Sequence, residues 1–251
     1  MITLILPAYQ ESWRISPTLA EIVHERKRHD LIDEVIVVDD GSTDRTVERV
    51  LGYQQKLPLK VVRLGKNQGK WAAIHEGIRV ASNDAILILD ADGSASVREL
   101  RRLGPEFIRI VMKRKTALFG SRFLAQASVS GKSGLRLVIS RIYRFYSRAM
   151  LRLAKGKNDI DDLQCPFKLI YKSTIKKDLK VNRWAGDIEL ACAIEGEIAS
   201  VPIQFSHVGG SKVSSGAVWN MVWDTAIVTY RMVKYRWANR NNYIRTGIST
   251  K

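Results

Sequence analysis

Two aspartates separated by one small residue, Asp90-Ala91-Asp92, end a run of aliphatic residues and are followed at once by Gly93. Where an extended chain begins to turn, side chains at i and i+2 can converge on one ligand, and a glycine lets the backbone bend or a ligand approach closely. Carboxylate oxygens are hard donors suited to Mg²⁺ or Mn²⁺, which take one or two protein carboxylates together with substrate phosphates and water. A solvated turn with a helix-capping aspartate uses the same residues. Asp39-Asp40-Gly41-Ser42-Thr43-Asp44 repeats the arrangement earlier in the chain. Ser42 or Thr43 followed by acids reads as a helix N-cap. Asp39 and Asp40 lie ahead of that cap, where a nucleoside's ribose hydroxyls or base imino group would find acceptors. The chain has neither a GxxxxGK[ST] nor a GxGxxG stretch, so a diphosphate needs a metal and cationic side chains here rather than a nest of amides.

Such residues must be held by a framework. Four β-branched and aliphatic runs, Ile2–Leu6, Val35–Val38, Leu59–Leu64 and Ala85–Leu89, alternate with helix-length stretches around Ile15–His29, Thr43–Lys56 and Gly69–Ala81. This alternation predicts an α/β fold: a Rossmann-like, doubly wound, mostly parallel sheet with helices on both faces. Ligands of such sheets sit at the carboxyl ends of strands, where Pro7-Ala8-Tyr9-Gln10-Glu11, the Asp39 to Asp44 segment and Asp90-Ala91-Asp92 fall.

Beyond Arg122 the pattern changes. Ser133 to Lys155 reads as one helix with Arg141, Arg144, Arg148, Arg152 and Lys155 in a basic stripe, opposite Leu135, Val138, Ile142, Tyr146, Ala149 and Leu153. Ala217 to Trp237 sets Asn220, Asp224, Arg231 and Lys234 on one narrow strip. Trp219, Val222, Trp223, Ile227, Tyr230 and Val233 cover much of the rest. Amphipathic helices of this kind suit an anionic membrane surface; they also suit packing on their own domain with one solvated face. Asn239 to Lys251 shows little pattern and is expected to be loose. The expected division is a domain over 1–216, with a nucleotide-binding half (1–122) and an acceptor half (123–216) containing the amphipathic helix 133–155. A C-terminal amphipathic helix and loose basic tail (217–251) follow.

With 251 residues, 45% of them hydrophobic, the chain can bury one sizeable core. Lys and Arg number 41 against 25 Asp and Glu, a net charge of +16 that favours polyanionic partners: nucleic acid, anionic membrane or phosphorylated small molecules. Only Cys165 and Cys192 are present, with no metal-ligand spacing, so neither a disulfide framework nor a structural zinc site is indicated and a reducing compartment fits. The first apolar segment is too short for a signal peptide, and no run reaches the roughly 18 apolar residues that a spanning helix needs. The expectation is a chain that lies on a membrane rather than crossing it.

Eight stretches in order, "ILPAYQE", "VIVVDDGSTD", "LGKNQGKWAAIHEGI", "ILDADGSAS", "FGSRF", "DLQCPFKLI", "RWAGDIEL" and "GGSKVSSG", resemble the family 2 inverting glycosyltransferases with a GT-A fold. Within that family the chain is most similar to the dolichyl- or polyprenyl-phosphate glucosyltransferases and, at more distance, to dolichyl-phosphate mannose synthases. The resemblance covers roughly residues 1 to 216. It implies that Pro7, Ala8, Tyr9 and Glu11 line the nucleotide site with Val37, that Asp39 and Asp40 hold the base or ribose, and that Lys70 and Ala91 lie beside the nucleotide. It further implies that Asp90 and Asp92 bind the metal and through it the diphosphate, and that Arg122 and Lys212 neutralise phosphates. Asp187 then occupies the catalytic position, with Asp92 and Arg122 supporting the leaving group. Four residues depart from the pattern: Gln10 replaces asparagine, Trp71 stands where relatives carry glycine, Pro166 replaces glycine, and Gly186 replaces an aromatic residue.

The resemblance implies transfer of a hexose, glucose from UDP-glucose first, to a polyprenyl or dolichyl phosphate at the cytoplasmic face of a membrane. A GDP-mannose donor is the alternative sugar nucleotide. A glycan or glycolipid hydroxyl is the alternative acceptor, and it would need Asp187 as general base, whereas a lipid phosphate is already an anion. The membrane association expected is peripheral, which leaves a membrane-spanning partner open. A basic nucleic-acid-binding protein is the reading from a different class; it gives Asp90 and Asp92 no role, and no nucleic-acid partner is expected.

Overall fold

The computed structural model describes residues 1–130, 134–156, 160–183, 185–208 and 215–246. Strands β1 (Ile2–Ala8), β2 (Ile32–Asp39), β3 (Leu59–Arg63) and β4 (Ala85–Ile88) alternate with helices α1 (Ile15–Arg26), α2 (Thr46–Leu51) and α3 (Lys70–Val80). Next come α4 (Glu99–Leu103), α5 (Pro105–Arg114), β5 (Ala117–Ser121), β6 (Ser128–Ser130) and α6 (Gly134–Lys155). The chain continues through β7 (Lys168–Tyr171), α7 (Gly186–Ala193), β8 (Ile198–Pro202), β9 (Gln204–Ser206) and α8 (Ser215–Thr246). The main sheet has seven strands in the order β3-β2-β1-β4-β7-β5-β8, and β6 and β9 pair separately.

Strands buried on both faces read as unbroken apolar runs, and Val35-Ile36-Val37-Val38 and Ala85-Ile86-Leu87-Ile88 are buried throughout. Alternating side chains feed two cores. Leu4 and Leu6 join α1 and Leu100 and Ile108 beyond it on one face, and Ile5 joins Trp71, Ile74 and Ile188 on the other. The parallel register of β2, β1 and β4 brings their carboxyl ends to one edge. β7 is the exception, running antiparallel to both β4 and β5 and placing Lys168 beside Ile88 and Phe119. A lysine thereby enters the buried centre of the sheet, 3% exposed.

Two expectations need correction. Ser42 and Thr43 do not cap α2, which starts later, at Thr46; the Ser42 hydroxyl accepts the Gln10 N–H at 2.9 Å and the Thr43 hydroxyl accepts the Gln10 side-chain amide at 2.8 Å. Gln10 has a left-handed backbone (φ 56°) that asparagine tolerates better, and these bonds fix it there. The basic stripe of α6 is also only partly a solvated face. Arg144 and Arg148 turn inward onto the buried carboxylate of Asp161, and Lys155 donates to the carbonyls of Ala191 and Ile194 at the end of α7. What α6 turns outward includes Ile142, Phe145 and Leu153 with Arg141 and Arg152; the side chains of Leu135 and Val138 lie outside the described residues.

α8 packs on α6 through buried Thr225 and Val228, with the Tyr143 hydroxyl 2.7 Å from that of Thr225 and the Tyr146 hydroxyl donating to the Val222 carbonyl. Its large apolar residues, Trp219, Trp223, Ile227 and Tyr230, remain exposed at helical spacing. The helix continues to Thr246, through residues expected to be loose. Among the described residues no helix is long and apolar enough to cross a membrane.

Candidate active site

A cavity of about 470 Å³ opens at the carboxyl edge of β1, β2 and β4, lined among others by Tyr9, Glu11, Asp40, Lys70, Trp71, Asp90, Asp92, Gln164, Arg183 and Asp187. The turn that carries the paired aspartates is built by its own backbone. Gly93 has φ +72°, a conformation side chains resist, and donates its N–H to the Asp90 carbonyl at 3.3 Å. Asp92 Oδ1 accepts the Ser94 N–H at 2.9 Å, the Thr18 hydroxyl of α1 donates to the Ala91 carbonyl at 2.9 Å, and β9 closes the far side through Ser206 N–H to the Ser94 carbonyl. Both carboxylates are thus held open toward the cavity.

Three of the cavity aspartates, Asp90, Asp92 and Asp187, already face a cation. Lys70 Nζ lies 2.5 Å from Asp90 Oδ1, Arg14 is 3.7 Å from Asp92 Oδ2, and Lys168 Nζ is 2.7 Å from Asp187 Oδ1. Partial desolvation works against the charge on Lys70, whose side chain is still 46% exposed, but Asp90, then Asp187 and Asp92, outweigh it and lift the ammonium above its ordinary range. Lys168 also donates to the Cys165 carbonyl at 2.6 Å, so it holds Asp187 from beneath as a fixed strut. Arg183, on the cavity rim, has no carboxylate partner among the described residues.

The donor set fits a divalent metal of the Mg²⁺ or Mn²⁺ kind. Asp90 and Asp92 offer hard oxygens in a half-open site, and among the described residues no group of three or more His, Cys, Asp or Glu could hold a metal by protein ligands alone. A site of two carboxylates is completed by substrate phosphate and water.

Of the residues singled out in the sequence, Pro7, Ala8, Tyr9, Glu11, Asp40, Lys70, Asp90, Ala91, Asp92 and Asp187 meet in this one cavity. Three others do not line it. Val37 is buried in the sheet, and Asp39, fully buried, spends its carboxylate on the Ser42 N–H, with Arg63 at 3.8 Å. Arg122 is bound bidentately to buried Asp162 at 2.6 and 2.9 Å. Burial disfavours both charges; the mutual attraction wins, raising the guanidinium and depressing the carboxyl relative to their usual ranges. Arg122 therefore stays off the cavity wall, its guanidinium committed to Asp162 although within electrostatic reach of Asp90. Lys212 lies outside the described residues. Burial, with Asp162 nearby, pushes the Cys165 thiol up to about 12, which removes it as a nucleophile.

Asp40 has a double duty: its oxygens accept the N–H groups of Gln68 and Gly69 at 2.7 and 2.8 Å, stitching the turn before α3 to the end of β2. Sequence reasoning missed Lys168, Asp162, Gln164 and Arg183. A lysine inside "PFKLIY" was the available signal, since a buried lysine needs a paired carboxylate.

A doubly wound sheet bearing paired carboxylates and cations at its carboxyl edge is an arrangement for handling a nucleotide diphosphate. The chain matches the model of Glycosyl transferase family 2 over residues 3–170 and belongs to that family; it is a glycosyltransferase. It is 32% identical over 236 residues to the dolichyl-phosphate beta-glucosyltransferase ALG5C of Trichomonas vaginalis, covering 88% of this chain and 68% of that protein. It is 30% identical over 254 residues to the dolichyl-phosphate beta-glucosyltransferase of Homo sapiens, covering 94% of this chain and 77% of that protein. Among solved structures, it shares its fold with glucosyl-3-phosphoglycerate synthase from Mycobacterium tuberculosis in complex with Mn²⁺, UDP-glucose and glycerol 3-phosphate. The TM-score is 0.64 at 18% identity, over 91% of this chain and 79% of that one. Staphylococcus aureus TarS 1-349 has the same fold at a TM-score of 0.56 and 18% identity, over 91% of this chain and 64% of that one.

Proposed function

We propose that this chain transfers glucose from UDP-glucose to a dolichyl or other polyprenyl phosphate, with inversion, at the cytoplasmic face of a membrane. The observation that carries the reading is the cavity in which Asp90 and Asp92, paired with Lys70 and Arg14, face Asp187 held on Lys168. The names of the curated relatives support the donor sugar and the acceptor class.

In the reaction a phosphate oxygen of the acceptor attacks the anomeric carbon as the bond to the diphosphate breaks, and UDP departs with growing negative charge. Asp90 and Asp92 would hold Mg²⁺ or Mn²⁺, which supplies charge stabilisation for the leaving diphosphate. Lys70 stands at the same place and adds a fixed cation. The lipid phosphate arrives deprotonated, so Asp187 has no proton to remove and orients the sugar or acceptor instead. The exposed residues Ile142, Phe145, Leu153, Trp219, Trp223 and Tyr230 and the net charge of +16 support docking on an anionic leaflet, where each nearby basic residue contributes about 1 kcal/mol.

A thermal-shift screen of UDP-glucose, GDP-mannose and other sugar nucleotides with Mn²⁺ tests the donor, since occupancy at 100 times Kd stabilises by about 2.7 kcal/mol. UDP-glucose should give the largest shift, lost in Asp92→Asn. Radiolabelled transfer should then appear on dolichyl phosphate. Product found on a saccharide hydroxyl alone would overturn the acceptor, and a shift with GDP-mannose alone would overturn the donor.

A further inference from the structure

The start of α3 and the segment leading into α7 are far apart in sequence and locked together beside the cavity. The N–H groups of Trp71 and Ala72 both donate to the Asn182 carbonyl, at 3.0 and 3.2 Å. That oxygen approaches Gly69 so closely that a Cβ there would sit 2.4 Å from it. Behind the segment, the buried carboxylate of Glu189 accepts the N–H groups of Lys180 and Val181 at 2.9 Å each. Side chains add to the lock: the Arg183 stem lies against Gly69, and Trp71 packs on Gly186. The indole of Trp71, 3% exposed, packs against Gly186, and a Cβ on Gly186 would fall 2.2 Å from ring atoms Cδ2 and Cγ.

We propose that Trp71 is a positioning residue for the transfer. Its ring, seated on the bare backbone of Gly186, sets how closely the first turn of α7 approaches α3, and with it the place of Asp187 on the cavity wall. This rests on the proposed reading of Asp187 as the residue that faces the reacting sugar and acceptor.

Gly186 is not there for its backbone freedom. It is the first residue of α7 and its φ lies outside the left-handed region; a helix favours alanine over glycine by roughly 1 kcal/mol at interior positions and nowhere demands glycine. The ring excludes every side chain, and that is what reserves the position. The His75 ring also lies beside Trp71, with ring centroids 5.9 Å apart. Close-packed interiors transmit such a constraint rather than absorb it. The next residue, Asp187, depends on it, because its 2.7 Å pair with Lys168 tolerates little displacement. The contact also joins two of the departures seen in the sequence: the aromatic ring expected at 186 is supplied from 71 across the same space.

The test compares Gly186→Ala, Trp71→Ala and the exchange Trp71→Ala/Gly186→Phe in steady-state transfer from UDP-glucose to dolichyl phosphate with Mn²⁺, alongside thermal unfolding with and without UDP. Relieving the Cβ clash requires a shift of about 1 Å, a displacement that costs on the order of 100-fold in rate. Gly186→Ala should unfold cooperatively, keep its UDP-induced shift and donor KM, and lose about 100-fold in kcat. The exchange should recover about tenfold over Trp71→Ala. The proposal is overturned by a Gly186→Ala enzyme with a near wild-type kcat, by a loss confined to donor KM, or by an exchange variant no better than Trp71→Ala. Should Trp71→Ala fail to fold, Gly186→Ala decides alone. A wild-type chain inactive on dolichyl phosphate counts against the acceptor reading, and the same variants are then compared on the acceptor it does use.

Discussion

Replacing Lys168 by methionine keeps the length and apolar stem of the side chain and removes its ammonium. That group makes two contacts, 2.7 Å to Asp187 and 2.6 Å to the Cys165 carbonyl, and its side chain is 4% exposed against 17% for Asp187. Loss of a hydrogen bond to a charged partner costs about 1.5–3 kcal/mol, and an orphaned buried carbonyl about 1–3 more. Removing one member of a buried ion pair costs about 3–5 kcal/mol. Because Asp187 keeps some contact with solvent, the low end, about 3 kcal/mol, is expected. For a chain of this size that lowers Tm by roughly 6–12 °C. Asp187 then loses its strut, and a carboxylate no longer held in place should lower kcat by about 10- to 100-fold while donor binding persists. Thermal unfolding and initial rates on the same preparation read both effects. A Lys168→Met protein with unchanged Tm and a kcat within about twofold of wild type would show that Asp187 is not held this way.

Three further outcomes are expected. Asp162→Asn leaves the Arg122 guanidinium buried without its carboxylate and should cost about 3–5 kcal/mol, seen as a lowered urea midpoint; an unchanged midpoint would remove Arg122 from the scaffold. His75 is held at about 4 by burial, below its ordinary 6.5, so between those values the unfolded chain takes up a proton that the folded one refuses. Stability present at pH 7 should thus fall as pH drops, by about 2 kcal/mol at pH 5, and His75→Gln should flatten the dependence of Tm on pH between 7 and 5. Trp219→Ser/Trp223→Ser removes two exposed rings and should weaken sedimentation with anionic liposomes at least tenfold, each buried ring being worth about 1.5–3 kcal/mol, with Tm unchanged; equal sedimentation would exclude this face from membrane contact.

The parallel strands and the residues at their carboxyl ends were legible in the chain itself. Unbroken apolar runs flanked by turn residues and helix-length segments leave one compact topology, and that topology carries Tyr9, Glu11, Asp40, Asp90 and Asp92 to a common edge. Partners drawn from distant segments were not legible. The lysine in "PFKLIY" signals that a buried carboxylate is needed, but neither it nor Arg122 names its partner, and nothing there announces that β7 reverses direction and pushes Lys168 beneath Asp187. The inward turn of part of the α6 basic stripe has the same origin. Periodicity shows which residues share a helix face, but whether the arginines turn inward depends on Asp161, a buried carboxylate that two of them neutralise. In the same way Trp71 and Gly186 stood out in sequence as two unrelated departures, and only their contact in the folded chain makes them one. Short-range pattern decides the elements because hydrophobic burial acts face by face. Which charges and rings meet is decided only when those faces close on one another.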